Sequence, residues 1–373
     1  MQNKKICMMT TAHGPFDDRI FHKEGLSLVR KGYRVVLIAP HDKNETVEGI
    51  QIVPLRGARG RTGRFFSATL RAYLLGSKVG ADVYHIHDPE LLAAGVLLKM
   101  FRGKKVIYDA HEDYGKKILS KKWIGKAMRP SLSKISTALE RTAARLLDYV
   151  IAADSNIERN FNHNGGNAEV IGNYPPLDFM VMPSRQGGTD MRLIYIGGID
   201  RDRGSKVMVE MMKHLDGCQI ELHIAGNAGD MGDMPLDSSG KVIYHGFIPW
   251  RKVNKCLAEA DVGLLLLQPT PSYVNCTGEG IIKLFEYMLM GLPVIASDFP
   301  HLRELITGIG CGICVDPTNP ARIADAVKFL FRNPDIRKEM GVKGRTAVIR
   351  KYNWENESRK LIAVYQKTLG QRG

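Results

Sequence analysis

Short, continuously apolar runs alternate along the chain with segments whose apolar residues recur every three to four positions. The runs at 5–10, 34–39, 83–87, 105–108, 148–153 and 168–171 predict strands, and the periodic segments at 21–31, 69–79, 90–101 and 131–147 predict helices. Because the strand runs are apolar throughout, they fit strands buried on both faces, as in parallel sheets. Their alternation with helices predicts βαβ units. The pattern breaks at 181–190, where Pro183, Gly187 and Gly188 mark a linker, and then restarts. Strands are expected at 192–196, 219–225, 241–244, 262–267 and 293–296, with helices at 206–214, 250–259, 281–290 and 320–332. The fold class expected is α/β with two Rossmann-like domains, 1–183 and 184–351, and a closing helix in 352–373 that packs back on the first. In such sheets ligands sit at the C-terminal ends of the strands.

Composition narrows the partners. The chain has 373 residues, 44% hydrophobic and 25% charged, which suits two ordinary globular domains. The net charge of +14 is uneven: residues 1–183 hold 28 basic and 18 acidic side chains, the remainder 25 and 21. That excess points to an anionic partner: a nucleic acid, a phosphorylated small molecule or a lipid surface. No zinc module or aromatic-interleaved basic strand is visible, so no nucleic acid is expected. No run approaches the roughly 18 apolar residues that span a bilayer. The pair Cys311 and Cys314 has no second ligand pair to make a metal site, and the scattered cysteines fit a reducing, cytoplasmic compartment.

Four stretches could carry chemistry. The turn after the first strand, 10–19, lacks a dinucleotide fingerprint, but Gly14 would let backbone approach a ligand. Two strand ends carry polar clusters, His85-Ile-His-Asp88 and Asp109-Ala-His-Glu112, with His111 the stronger candidate for a site role. The turn after the first strand of the second half contains Gly197, Gly198 and Arg203 ahead of a helix, a combination suited to a diphosphate. Asp200 and Asp202 spell D-x-D, but the adjacent arginines argue against a metal. Finally, a helix expected from about 280 to 290 is apolar except for Lys283 and Glu286. With Glu279 these lie at i, i+4 and i+7, one charged stripe on a buried helix, better explained by a polar ligand than by solvent.

These pieces together resemble the family 4 glycosyltransferases, which have the GT-B fold. The resemblance rests on Asp17-Asp-Arg-Ile-Phe-His-Lys-Glu24, the two histidine-bearing strand ends, 197–204, Lys283-Leu-Phe-Glu-Tyr-Met288 with Gly291-Leu-Pro-Val-Ile-Ala-Ser297, and Tyr352-Asn-Trp354. It implies two domains facing across a cleft and transfer of a sugar from a nucleotide-sugar donor, with retention at the anomeric carbon and without a metal or other cofactor. Carried over by position, it implies that Gly14 faces donor and acceptor, His111 touches the donor sugar, Arg203 meets the diphosphate and Glu286 holds the ribose. Two departures stand out. The first Glu of the family's E-x7-E motif falls on Gly278, with Glu279 one place later as a replacement catalytic carboxylate or Lys283 as a substitute donor contact. One of the two phosphate cations falls on Gly198, with Arg201 a possible stand-in. The alternatives left open are a nucleotide-sugar 2-epimerase and a non-catalytic sugar-nucleotide binder.

A last feature concerns location. From Tyr114 to Leu139 there is no acidic residue, yet seven lysines and arginines interleave with Ile118, Leu119, Trp123, Ile124 and Met128. The stretch from Arg56 to Tyr73 repeats the theme. Such segments suit reversible contact with an anionic membrane, which predicts a protein peripheral on the inner face of the cell membrane. A lipid-linked or other sugar acceptor in envelope polysaccharide or glycolipid synthesis would fit there.

Overall fold

A computed structural model describes residues 4–56, 67–119, 124–162, 167–181, 190–227, 240–274, 277 and 279–371. The chain divides into two compact units: Met1–Asn173 with Glu355–Gly373, and Tyr174–Trp354. The division falls upstream of the expected linker, most of which lies outside the described residues. The closing helix, Trp354–Thr368, belongs to the first unit almost entirely.

The first unit is built on eight strands: β1 (Lys5–Met9), β2 (Arg34–Ala39), β3 (Glu45–Val47), β4 (Ile50–Pro54), β5 (Val83–Ile86), β6 (Lys105–Ala110), β7 (Tyr149–Ala152) and β8 (Ala168–Val170). Their order is β3-β4-β2-β1-β5-β6-β7-β8, parallel except for the β3–β4 hairpin at the edge. The sheet order reverses between β1 and β5, the place where open α/β sheets bind ligands. The 21–31 helix proves to be two pieces, a wide turn of helix at Asp18–Gly25 and an α-helix at Leu26–Arg30. Asp17 caps the first, accepting from the Arg19 and Ile20 amides.

The second unit has β9 (Met191–Ile196), β10 (Ile220–Ala225), β11 (Val242–Tyr244), β12 (Val262–Leu265), β13 (Val294–Ser297) and β14 (Gly312–Val315). All are parallel, in the order β11-β10-β9-β12-β13-β14. This is the dinucleotide-fold strand order, with its reversal between β9 and β12. Helix Ile282–Leu289 packs against β12 and β13 with Leu284 to Leu289 buried. It starts two residues later than expected, because Ile281 adopts a non-helical backbone. Cys311 precedes β14 and Cys314 lies within it, both free thiols, and burial raises the ionisation of both, to about 12 and about 11. No helix among the described residues is long and apolar enough to cross a membrane.

Candidate active site

In the first unit the β1–β5 reversal is organised by Asp88. Its Oδ2 accepts from the Thr10 hydroxyl (2.8 Å) and the Thr11 amide (2.6 Å), so one buried carboxylate ties the loop after β1 to the end of β5. Gly14 lies farther along that loop, and a Cβ there would meet nothing within 4 Å.

Strand alternation sorts the β5 residues. Tyr84 and Ile86 enter the apolar core under the helices, so His85 and His87 face the other side of the sheet. There they meet Glu24 from the first helix, Asp109 from β6 and Tyr365 from the closing helix. Because Ile86 pairs with Tyr108, the next residues along, His87 just past β5 and Asp109 near the end of β6, lie side by side. The Tyr365 hydroxyl and His85 Nδ1 are 2.8 Å apart, both buried. Arg19 donates twice to Asp109, Nε to Oδ2 (2.9 Å) and Nη2 to Oδ1 (3.0 Å), and its Nε also lies 2.9 Å from Glu24 Oε1. Arg19, Glu24 and Asp109 are all buried.

Charge in this cluster is settled internally. Burial alone would raise Asp109, but Arg19 and His111 hold its carboxyl well below the usual range. Glu24 goes the other way: burial and the Asp109 charge raise its carboxyl well above the usual range. His85 is pushed down by burial and by neighbouring His87. Glu24, His85, His87 and Asp109 are close enough to hold a metal ion between them. The Arg19 guanidinium, however, already stands as the cation between the two carboxylates, and a second cation there would meet its repulsion.

His111 is the half-buried rim of the cluster. Its Nε2 is 3.1 Å from Asp109 Oδ2 and 3.2 Å from His87 Nδ1, and its ring stacks on His13. The sequence singled out His111 but missed Arg19, Glu24 and Asp109 as its supports.

In the second unit the turn after β9 runs Gly197, Gly198, Ile199, Asp200. Asp200 caps the short turn that follows, accepting from the Arg203 amide (2.8 Å) and pairing with Arg203 Nη1 (2.7 Å). Arg203 thereby sits just ahead of helix Ser205–Met212, whose amide end adds positive potential. Lys283, from the helix Ile282–Leu289, reaches this turn, with its Nζ 3.3 Å from the Tyr195 hydroxyl and 4.5 Å from that ring's centre. The two glycines make room for the two cations. A Cβ on Gly197, whose φ is +144°, would collide with Lys283 Nζ, and a Cβ on Gly198 would collide with Arg203 Nη1. Burial, and next the Arg203 charge, pull the Lys283 ammonium down to about 8, against the opposing pull of Glu286 and Asp200.

Glu286 is buried one turn on from Lys283 and accepts from Trp250 Nε1 at 2.8 Å, an anchor with no signature in the sequence. Glu279 does not continue their stripe. It lies in the turn before the helix and lines a hollow of about 310 Å³ with Thr277, Phe285, His301 and Glu304. The charges acting on Lys283 come from Arg203, Glu286 and Asp200 instead. Arg201 is exposed, and the second cation at the glycine pair is Lys283. Gly278 lies outside the described residues.

Comparison with known proteins agrees with this geometry. The family model described as Glycosyltransferase Family 4 matches residues 19–174, and that described as Glycosyl transferases group 1 matches 190–333. The chain is 26% identical to an uncharacterized glycosyltransferase of Methanocaldococcus jannaschii, over 99% of this chain and all of that protein. It is 25% identical to a phosphatidyl-myo-inositol mannosyltransferase of Mycobacterium leprae, over 76% of this chain and 73% of that one. The solved structure of Anabaena HepE in complex with UDP-glucose superposes with a TM-score of 0.72 at 13% identity, covering 97% of this chain and 99% of that one. The chain therefore belongs to the family 4 glycosyltransferases: it is a glycosyltransferase of the GT-B class.

Proposed function

We propose that this glycosyltransferase takes a nucleoside-diphosphate sugar as donor and transfers the sugar with retention to a sugar or lipid-linked acceptor. The observation that carries the reading is the pair of cations, Arg203 and Lys283, gathered over Gly197 and Gly198 at the C-terminal end of β9. Arg203 is paired with Asp200 but Lys283 beside it makes no ion pair among the described residues, and a lysine held so has a physical use when an anion is to be bound. Cleavage of a glycosyl–phosphate bond builds negative charge on the departing diphosphate. Donors already aimed at it lower the barrier without further reorganisation. In this reading Arg203 and Lys283 hold the diphosphate, Glu286 accepts from ribose hydroxyls and His111 contacts the transferred sugar. The departing phosphate itself takes the acceptor proton on the face it leaves, which preserves the anomeric configuration. No metal is needed where two side-chain cations and a helix end supply the charge. The UDP-glucose complex of the Anabaena relative supports a uridine donor as the first to test. Release of UDP from UDP-sugars, with and without acceptor and with chelator added, tests it. Acceptor-dependent release that survives chelator is expected, and a chain that binds no nucleoside diphosphate would contradict it.

The proposed working place is an anionic membrane surface on the cytoplasmic side, and the first unit supports it. Helices Thr69–Val79, Leu92–Arg102 and Arg129–Arg145 pack side by side. They expose Leu70, Leu74, Met100, Phe101, Ile135 and Leu139, with Phe101 71% and Leu139 67% accessible. Arg71, Lys78, Arg102, Lys134 and Arg145 are exposed on the same helices. Part of the Lys116–Lys134 segment, residues 120–123, lies outside the described residues. Each Lys or Arg at such a surface contributes about 1 kcal/mol, and apolar side chains enter the headgroup boundary. Sedimentation with anionic but not neutral vesicles, weakened by salt, is expected, and equal pelleting with both would refute the location.

A further inference from the structure

We infer that Tyr195 is the positioning residue of the two-cation turn: its hydroxyl donates to the Gly198 carbonyl and accepts from Lys283, so that one side chain sets both the course of the glycine turn and the place of the lysine over it. That the turn receives a diphosphate rests on the proposed function, but the tie between Tyr195 and Lys283 does not.

Tyr195 is the penultimate residue of β9 and is buried. Its ring packs with Leu193 in the core on one face of the sheet, while Ile194 and Ile196 face the side where helix Ile282–Leu289 lies. The hydroxyl and the lysine meet past the end of the strand, in the space that Gly197 leaves. A Cβ there would lie 3.3 Å from the Tyr195 hydroxyl and collide with Lys283 Nζ. A phenol has one proton to give, and at 2.7 Å it goes to the Gly198 carbonyl. The lone pairs of the same oxygen are left for Lys283 Nζ at 3.3 Å, and an ammonium has only protons to offer. Among the described residues this hydroxyl is the acceptor that Lys283 reaches, and the ring below, its centre 4.5 Å from Nζ, favours a cation as well. A second tyrosine keeps the helix in register. Tyr287, one turn on from Lys283 and so on the same face, accepts from the Ile196 amide at 3.0 Å, in room that Gly263 leaves by having no Cβ. The other charges acting on Lys283 are Arg203 and Asp200 from the turn after β9 and Glu286 from its own helix, while Tyr273 of the short helix Pro271–Val274 bonds to Arg203. Removing the Tyr195 hydroxyl alone therefore takes an acceptor from the ammonium and a donor from the Gly198 carbonyl, with the ring left in place.

Two measurements on the full chain test this. In the unliganded protein, lysine labelled with carbon-13 at Cε reports each ammonium, with the Lys283 signal identified by its loss in Lys283→Met. Its titration is expected near 8 in the wild type and about one pH unit lower in Tyr195→Phe, because the charged form has lost an acceptor. An unchanged midpoint would overturn the inference, whether or not the protein binds any nucleotide. UDP binding at pH 7 supplies the second readout. Tyr195→Phe is expected to weaken it about tenfold in the wild-type background, and by at most about twofold in the Lys283→Met background, where the partner is gone. Equal loss in both backgrounds would make Tyr195 a support of the glycine turn alone and overturn its role toward the lysine. A wild type that binds no UDP would instead refute the proposed function, and the titration then decides the inference.

Discussion

At the end of β6 in the first unit, the cationic Arg19 is matched by Asp109, burial and the Asp109 charge push the Glu24 carboxyl up, and buried His85 is pushed towards the neutral ring. At the end of β9 in the second unit, Arg203 and Lys283 share one turn, and the lysine is pulled down to about 8 rather than fully matched. The charges of the first cluster are offset within it, whereas in the second Lys283 makes no ion pair among the described residues. The first cluster holds the His111 ring beside Asp109 and His87. In the proposed reading the second binds, because an incoming diphosphate would relieve the repulsion between Arg203 and Lys283. The glycines at 197 and 198 belong to the second design. A side chain at either position would have to share the space that the two cations use.

The largest effect is expected where the two-cation corner meets developing charge. Arg203→Ala should slow transfer by about 10²–10³, the usual result of removing one donor to a forming oxyanion, with the fold intact. Single-turnover rates at saturating donor check this, and unchanged turnover would remove Arg203 from the corner. Next comes Glu286→Gln. Its proposed contacts to ribose would exist before and during reaction, so donor KM should rise about tenfold or more while kcat changes little. A kcat loss larger than the KM change would place Glu286 nearer the reacting bond. The smallest effect is expected for Glu279→Ala. Since Glu279 lies off the Lys283–Glu286 stripe, transfer should stay within the few-fold range of substitutions away from a site, and a loss comparable to Arg203→Ala would restore it as a catalytic carboxylate.

How much of this was legible in the sequence follows from the physics of each element. Parallel strands are apolar on both faces, so β1, β2, β5, β9 and β12 announce themselves as runs. The β3–β4 hairpin does not. Glu45, Thr46 and Gln51 keep one face polar, and β3 is only three residues long. Strand β14 is four residues long and begins at Gly312, too short and glycine-bound to stand out as an apolar run. Helix Pro334–Arg350 has so little apolar periodicity that its sequence reads as a loop or a solvated segment. Within the site, residues on one turn were readable: Arg203 with its glycines, and Lys283 with Glu286. Contacts across long separations were not. Arg19 and Asp109 are 90 residues apart, and a buried ion pair leaves no repeating pattern. The partner of Gly197 was equally hidden, since a glycine signals only that something else needs its space.

Calorimetry of UDP binding at about pH 9 in buffers of different ionisation enthalpy tests the central claim most directly. Free Lys283, near 8, is then mostly neutral, while the diphosphate should restore its charge by raising its ionisation towards the ordinary 10.5. Binding should therefore take up close to one proton, and affinity should fall as pH rises above 8. By the same linkage the ligand-free protein, in which the unfolded state holds the extra proton, should gain stability between about 8 and 10.5. Proton uptake in the wild type that vanishes in Lys283→Met, with Arg203 still in place, is the predicted result. Tight UDP binding with no proton uptake in the wild type would contradict the two-cation corner.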